Sequence, residues 1–287
     1  MLHGLTAALL LRAAVATRAA APAEILQEDW IESDQKAFAA WARPPEPADL
    51  SPKQFFEKLP ALPATTGSAT TPRELGYGVT TVYGTMPGGY CSLTAHLLVF
   101  DGVVAQARMQ GLCKPAVWLR LSAFVGEKWP PSSRDVERGT HRGREYSWTN
   151  ETRLAAVRRA MTADLGETEK AEAPAKLAGA FEELTSPFSS THVSFAGGCY
   201  FSGTDPEGKT AIDSLVRAKR WDLVRMAARG LNPEGRVYAA HALRSAPADQ
   251  RKPADAAVID RIRALDLPIA VCAGCLIRRS TAAELLP

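Results

Sequence analysis

The sequence predicts an α+β protein: an antiparallel β meander with flanking helices, followed by a C-terminal array of short antiparallel helix pairs. Three observations carry that expectation. From Tyr77 to Phe124, runs of β-branched and aromatic residues alternate with period two, as in Ser92 to Phe100, where Leu93, Ala95, Leu97 and Val99 share one face. Asp101-Gly102 separates that run from Val103 to Met109, the pattern of a tight hairpin whose two central residues both need positive φ. Beyond Asp205 the apolar spacing becomes helical. There Asp205-Pro206-Glu207-Gly208-Lys209 returns as Asn232-Pro233-Glu234-Gly235-Arg236, 27 positions on (232 minus 205).

Taken in order, residues 1–23 read as a targeting segment, because they contain no acid and are mostly Ala and Leu. An apolar core spans Leu5 to Leu11, and Ala19-Ala20-Ala21 resembles a cleavage region. This favours an exported protein, periplasmic or extracellular. Arg12 and Arg18 keep a mitochondrial alternative open, and a plain Ala-rich helix would leave the chain cytoplasmic. Residues 24–72 form a helical spacer and Pro-rich linker. Ile25 to Arg43 is amphipathic, Pro44-Pro45-Glu46-Pro47 stops it, and a short helix over Pro52 to Leu59 follows the N-cap residue Ser51.

Residues 73–203 hold the α+β domain with its antiparallel sheet. Strands are expected at Gly78 to Tyr83, Ser92 to Phe100, Val103 to Met109 and, as a fourth, Val117 to Phe124. Pro130 to Arg144 reads as a polar loop, helices as Glu151 to Leu165 and Ala175 to Leu184, and Thr191 to Phe201 as a further strand with a bulge at Gly197-Gly198. Residues 204–287 make the helical-repeat-like region, with a last helix over Leu276 to Leu286.

Composition narrows function mostly by exclusion. Hydrophobic residues at 46% and charged residues at 23% are ordinary globular values, which exclude wholesale disorder. The net charge of +3, from 34 basic and 31 acidic residues, implies neither nucleic acid nor anionic lipid as partner. No run after the targeting segment approaches the roughly 20 apolar residues of a membrane span. No cofactor is implied.

Cysteine placement suggests pairing in an oxidising compartment. Cys91 and Cys113 bracket the predicted hairpin, and Cys272-Ala273-Gly274-Cys275 reads as a local disulfide or a pair of packed thiols. Redox chemistry at a helix N-terminus is the sharper alternative for that CxxC.

Two candidate sites remain. Gly203 to Thr210 matches G-x-x-x-x-G-K-[ST], a phosphate-cradling loop, with a strand before it and a helix after. Glu207 in the loop and the lack of any following parallel sheet weigh against nucleotide binding. In the β portion, His96 stands mid-strand opposite the apolar face, and His192 and an Arg-rich stretch, Arg134, Arg138, Arg142 and Arg144 near His141, could serve an enzyme of unrecognised type.

The octapeptide also fits a helical repeat. Asp205 to Ile212, then Ala218, Trp221-Asp222-Leu223-Val224 and Gly230-Leu231-Asn232, resembles one ankyrin repeat over about 28 of 287 residues. Ala211-Ile212-Asp213 replaces the usual Pro-Leu-His, and Asn232-Pro233 enters the next helix at once, as in a HEAT-type pair. The resemblance implies a non-enzymatic interaction module that presents a helical surface to a protein or peptide.

Overall fold

The computed structural model describes residues 26–59, 72–167, 169–189, 192–195, 199, 203–274 and 276–287. The targeting segment 1–23, residues 60–71 of the linker, the Gly197-Gly198 pair and Cys275 lie outside them. Among the described residues the protein is α+β, built on an antiparallel six-stranded sheet.

Helix α1 (Glu28–Trp41) buries Ile31, Ala37, Phe38 and Trp41, and α2 (Pro52–Lys58) starts from a Ser51 capping box. Strands β1 (Arg73–Gly76), β2 (Val79–Pro87), β3 (Cys91–Phe100) and β4 (Val103–Cys113) then pair in sequence. Asp101 and Gly102 adopt φ of 51° and 75°, so the β3–β4 turn has the left-handed pair that its sequence requires.

The next segment corrects the sequence reading. Val117 to Phe124 is not a fourth strand but the middle of α3 (Pro115–Lys128), with Pro115 at its first turn. Val117, Trp118, Leu121 and Val125 are buried at helical spacing, whereas Leu119, which the strand reading would bury with its neighbours, is 73% exposed. Pro130 to Arg144 is likewise no loop. It supplies β5 (Arg134–Arg138) and the start of β6 (His141–Thr149), giving the order β1-β2-β3-β4-β6-β5. The charges that suggested a loop face each other across the hairpin: Arg142 meets Glu137 at 3.0 Å, and Arg144 meets Asp135 at 2.7 Å.

Helices α4 (Glu151–Leu165) and α5 (Ala175–Thr185) follow, then α6 (Glu207–Arg217), α7 (Trp221–Ala227), α8 (Pro233–Arg244) and α9 (Pro253–Ala264), each packed on the next from α5 onward. Helix α8 is central, since every residue from Pro233 to Ala240 is buried. Its Gly235 lies so close to the Leu184 carbonyl on α5 that a Cβ there would stand 1.9 Å from the oxygen. Arg236 binds the sheet to this helix by donating to the carbonyls of Leu75 and Leu231. Burial lowers its pKa to about 10, so it remains a cation at neutral pH.

The chain ends in a second correction. Leu276 begins β8 (Leu276–Ser280), which pairs with β7 (Ile269–Ala273), and only α10 (Ala282–Leu285) is helical. Gly274, at φ 59°, allows the reversal between them. Of the strand expected at Thr191 to Phe201, the described residues form isolated bridges outside the large sheet: Val193 to Val271, and Cys199 to Thr204 and Gly274.

Two apolar cores result. One lies between α1, α2, α3 and the sheet face bearing Leu93, Ala95, Leu97 and Met109. The other lies among the helices from α4 onward, and reaches Leu75, Val79, Leu98 and Ala105 on the opposite face, with Tyr77 and Phe100 packed against it. An irregularity in the β3–β4 register between Leu98 and Val99 leaves Ala105 as an extra residue, which turns it toward the helices.

Candidate functional site

Among the described residues, the helices cover only one end of that opposite face. At the other end, strand register aligns polar side chains in two adjacent rows. Tyr83, His96, Arg108 and Ser147 stand abreast on β2, β3, β4 and β6; Thr85, Thr94, Gln110, Glu145 and Arg134 form the next row. Each lies two residues along its strand from its counterpart, so all share one face.

Contacts within the rows fix their geometry. Glu145, 3% exposed, accepts from Gln110 at 3.2 Å and from Arg134 at 2.7 Å, and lies 3.9 Å from Arg108. The rings of His96 and Tyr83 sit 4.7 Å apart. Phe188, from the segment after α5, leans over both rows, with its ring 5.7 Å from His96 and 5.2 Å from the Arg108 guanidinium. Arg108 also reaches Glu182 on α5 at 3.3 Å, so a single residue ties sheet to helix.

Between these walls lies a cleft with two lobes. The first, about 480 Å³, lies beside α5 and takes Glu182, Glu183, Ser189, His192 and Glu207 from the helical side. The second, about 490 Å³, shares Phe188 with the first and is lined further by Arg73, Tyr83, Thr94, Leu112 and Pro187. His96, Gln110, Arg138 and Phe188 border both. Such volumes accommodate a small molecule.

The titratable groups are shaped by this enclosure. Burial, aided by the nearby Arg108 and Arg138 cations and opposed by Glu145, lowers the His96 pKa to about 4; at neutral pH it is an uncharged imidazole. Burial raises the Glu183 carboxyl above the usual range, against a hydrogen bond from Ser189 and with the repulsion of Glu207 and Glu182 adding to it.

The walls are held from behind. Arg73 donates to the Ser189 carbonyl at 2.9 Å and pairs with Glu234, while the Tyr238 hydroxyl donates to the His192 carbonyl at 2.7 Å and accepts from Ser194 N–H at 2.9 Å. Val193 is laced to β7 through Ala270 and Cys272. Cys272 is itself bonded to Cys199, which replaces the local pairing with Cys275 read from the sequence. A disulfide also joins Cys91 and Cys113, directly opposite on β3 and β4 with Cα atoms 4.1 Å apart. Two disulfides point to an oxidising environment.

Thus His96, His192 and Arg138 converge, whereas Arg134, Arg142 and Arg144 pair with neighbouring carboxylates and His141 is exposed at the β5–β6 turn. His241 stacks on Phe195, 4.2 Å between ring centroids. In Gly203 to Thr210, Lys209 is held by Asp213 at 2.7 Å and Asp205 at 3.5 Å, so its charge is spent along its own helix. From that octapeptide only Glu207 reaches the cleft. Sequence reasoning missed Arg108, Gln110, Glu183 and Phe188; for the first two the signal was their place opposite the apolar face of the hairpin, as for His96. Among the described residues no His, Cys, Asp and Glu cluster could hold a metal.

Fold and cleft together define an α+β protein with a polar groove on a partly covered sheet. No family model matches the chain, and no curated protein or solved structure matches it significantly.

Proposed function

We propose that this chain is a binding module whose ligand is a small polar molecule seated in the cleft between the sheet and α5. The observation that carries this reading is the end of a sheet face that no described helix covers, on which polar side chains from four strands converge near Phe188. The ligand replaces the protein or peptide expected on a helical-repeat surface. With α8 buried along its first two turns, the repeat-like helices supply a wall and a core, and an exposed concave face is not their main contribution. The two disulfides and the acid-free N-terminal composition support export to the periplasm or cell exterior.

A second reading, catalysis in the same cleft, is favoured by one observation: burial raises the pKa of the Glu183 carboxyl in the cleft that also holds a neutral imidazole. Turnover of a bound ligand would support it.

Gly179 offers a direct test of cleft binding. It lines the first lobe on α5, and a Cβ built there meets nothing within 4 Å, so the backbone accepts a side chain at this position and Gly179→Trp places a bulky one at the lobe. In NMR titrations of the full chain with sugars, amino acids, nucleosides and organic acids, at least one compound should shift amides of β3, β4 and α5, and Gly179→Trp should abolish the shifts. Binding that survives this substitution, or no binding from any class, would sink the proposal.

A further inference from the structure

The cleft is asymmetric along its length, and its unmatched charges are of both signs. Arg108 is already engaged by Glu182 at 3.3 Å, by Glu145 at 3.9 Å and by the Phe188 ring. Among the described residues, neither Arg138 nor Glu207 forms an ion pair, and the Glu183 carboxylate accepts only from the Ser189 hydroxyl. Arg138 borders both lobes, whereas Glu183 and Glu207 border the first alone. Two of them act on the third: Glu207 repels the Glu183 carboxylate, and Arg138 attracts it.

From this layout we infer that the ligand is a zwitterion with an apolar arm, such as an α-amino acid or a short peptide. Its ammonium lies against Glu183 and Glu207, its carboxylate lies on Arg138, and its side chain passes Phe188 into the second lobe. The inference rests on the reading of the cleft as a binding site.

Each part has a physical reason. A guanidinium fork matches a carboxylate in two parallel hydrogen bonds, and Arg138 has no competing protein carboxylate. An ammonium beside Glu183 and Glu207 relieves their mutual repulsion and keeps both ionised. A simple anion such as phosphate would meet those two carboxylates, and a simple polyamine would meet Arg138; only a ligand with both signs satisfies the whole lobe. The second lobe presents Tyr83, Leu112 and Pro187, surfaces for an aliphatic or aromatic group, and the one further cation that lines it, Arg73, is already paired with Glu234. His96, neutral at pH 7 between the lobes, adds no charge to upset the balance.

The experiment is calorimetric titration of the full chain with the free amino acids and a set of dipeptides, followed by the best binder's amine and acid analogues, each lacking one charge. Removing either charge should weaken binding roughly tenfold or more. Arg138→Gln should weaken the zwitterion and the acid analogue while sparing the amine, and Glu207→Gln should do the reverse. Both residues are exposed, so neither change threatens the fold. Equal affinity of the charge-deleted analogues, loss of the crossed pattern, or no binder in the panel would overturn the zwitterion assignment. The cleft reading is separate: it survives if another class of compound still binds and Gly179→Trp still blocks it, and falls if that block fails.

Discussion

The two faces of the six-stranded sheet are made from alternate residues of the same strands, yet they differ in almost everything else. One is sealed: Leu93, Ala95, Leu97 and Met109 are at most 1% exposed beneath α1, α2 and α3. The other is sealed, among the described residues, where Leu75, Val79, Leu98 and Ala105 meet the helices, and beyond them it carries Tyr83, His96, Arg108 and Gln110. A strand cannot choose one face without specifying the other. Apolar alternation therefore says where the core is, and the identity of the intervening residues says whether the opposite face is solvent, core or site. Thr alone there would be bland; histidine, arginine and glutamine in adjacent rows are not.

The largest expected effect breaks the sealed face. Phe38 is wholly buried, packs against Trp129, and lies so near Gly111 that a Cβ there would sit 2.2 Å from its ring. Phe38→Ala should cost about 4 kcal/mol in urea unfolding, while Gly179→Ala, on the rim of the open face, should stabilise by several tenths. Similar losses from both would show that the two faces are not energetically distinct. Next comes the cross-strand disulfide. The Cys91–Cys113 bond closes a segment of sequence separation 22, and replacing both cysteines by Ala should cost about 3 kcal/mol on a loop-entropy estimate, without altering ligand binding in the cleft. A comparable loss of binding would instead make the sealed face part of the site.

How far these faces were legible beforehand depended on which residues carried the pattern. The β3–β4 hairpin announced itself through Asp101-Gly102 and strict alternation, and α4 and α5 through helical spacing. Val117 to Phe124 misled because Val117, Leu119 and Leu121 mimic a period of two; only the burial of Trp118 and Val125 reveals the period of 3.6. The strands β5 and β6 were hidden by charge, since strands near a sheet edge carry charged pairs that keep other chains away. The site was half legible. His96, His192 and Arg138 stood out as residue types, but Glu183, Glu207 and Phe188 reach them only through the packing of α5 and α6 on the rest, which no local pattern encodes.

The open face should reveal itself through pH. In the unfolded chain His96 titrates at about 6.5, whereas in the fold burial and the Arg108 and Arg138 cations hold its pKa at about 4. Between those values the unfolded state binds more protons, so stability is complete above about pH 6.5 and declines as pH falls toward about 4. Discounted for partial exposure, the loss assignable to His96 is about 2 kcal/mol. His96→Gln should remove that part of the slope in urea titrations between pH 7 and about 4. An unchanged slope would mean that the imidazole is solvated, and that the open face is wetter than its packing under Phe188 implies.

The smallest effect concerns Lys209, the residue on which a nucleotide reading depends. Its side chain is 26% exposed, and its ammonium lies between Asp213 at 2.7 Å and Asp205 at 3.5 Å, both partly solvated, and these carboxylates raise its pKa. Pairs of this type on a helix surface contribute about 0.3–0.5 kcal/mol each. Lys209→Ala should therefore lower stability by less than about 1 kcal/mol, and ATP with magnesium should leave the melting temperature of both proteins unchanged. The same titration discriminates between the two uses of the octapeptide. If ATP raised the melting temperature and Lys209→Ala abolished the rise, the lysine would have to leave both carboxylates for phosphate, and the loop would bind nucleotide. If Glu207→Gln altered ligand binding while Lys209→Ala did not, the octapeptide would contribute to the site through its glutamate, from the wall that faces the polar half of the sheet.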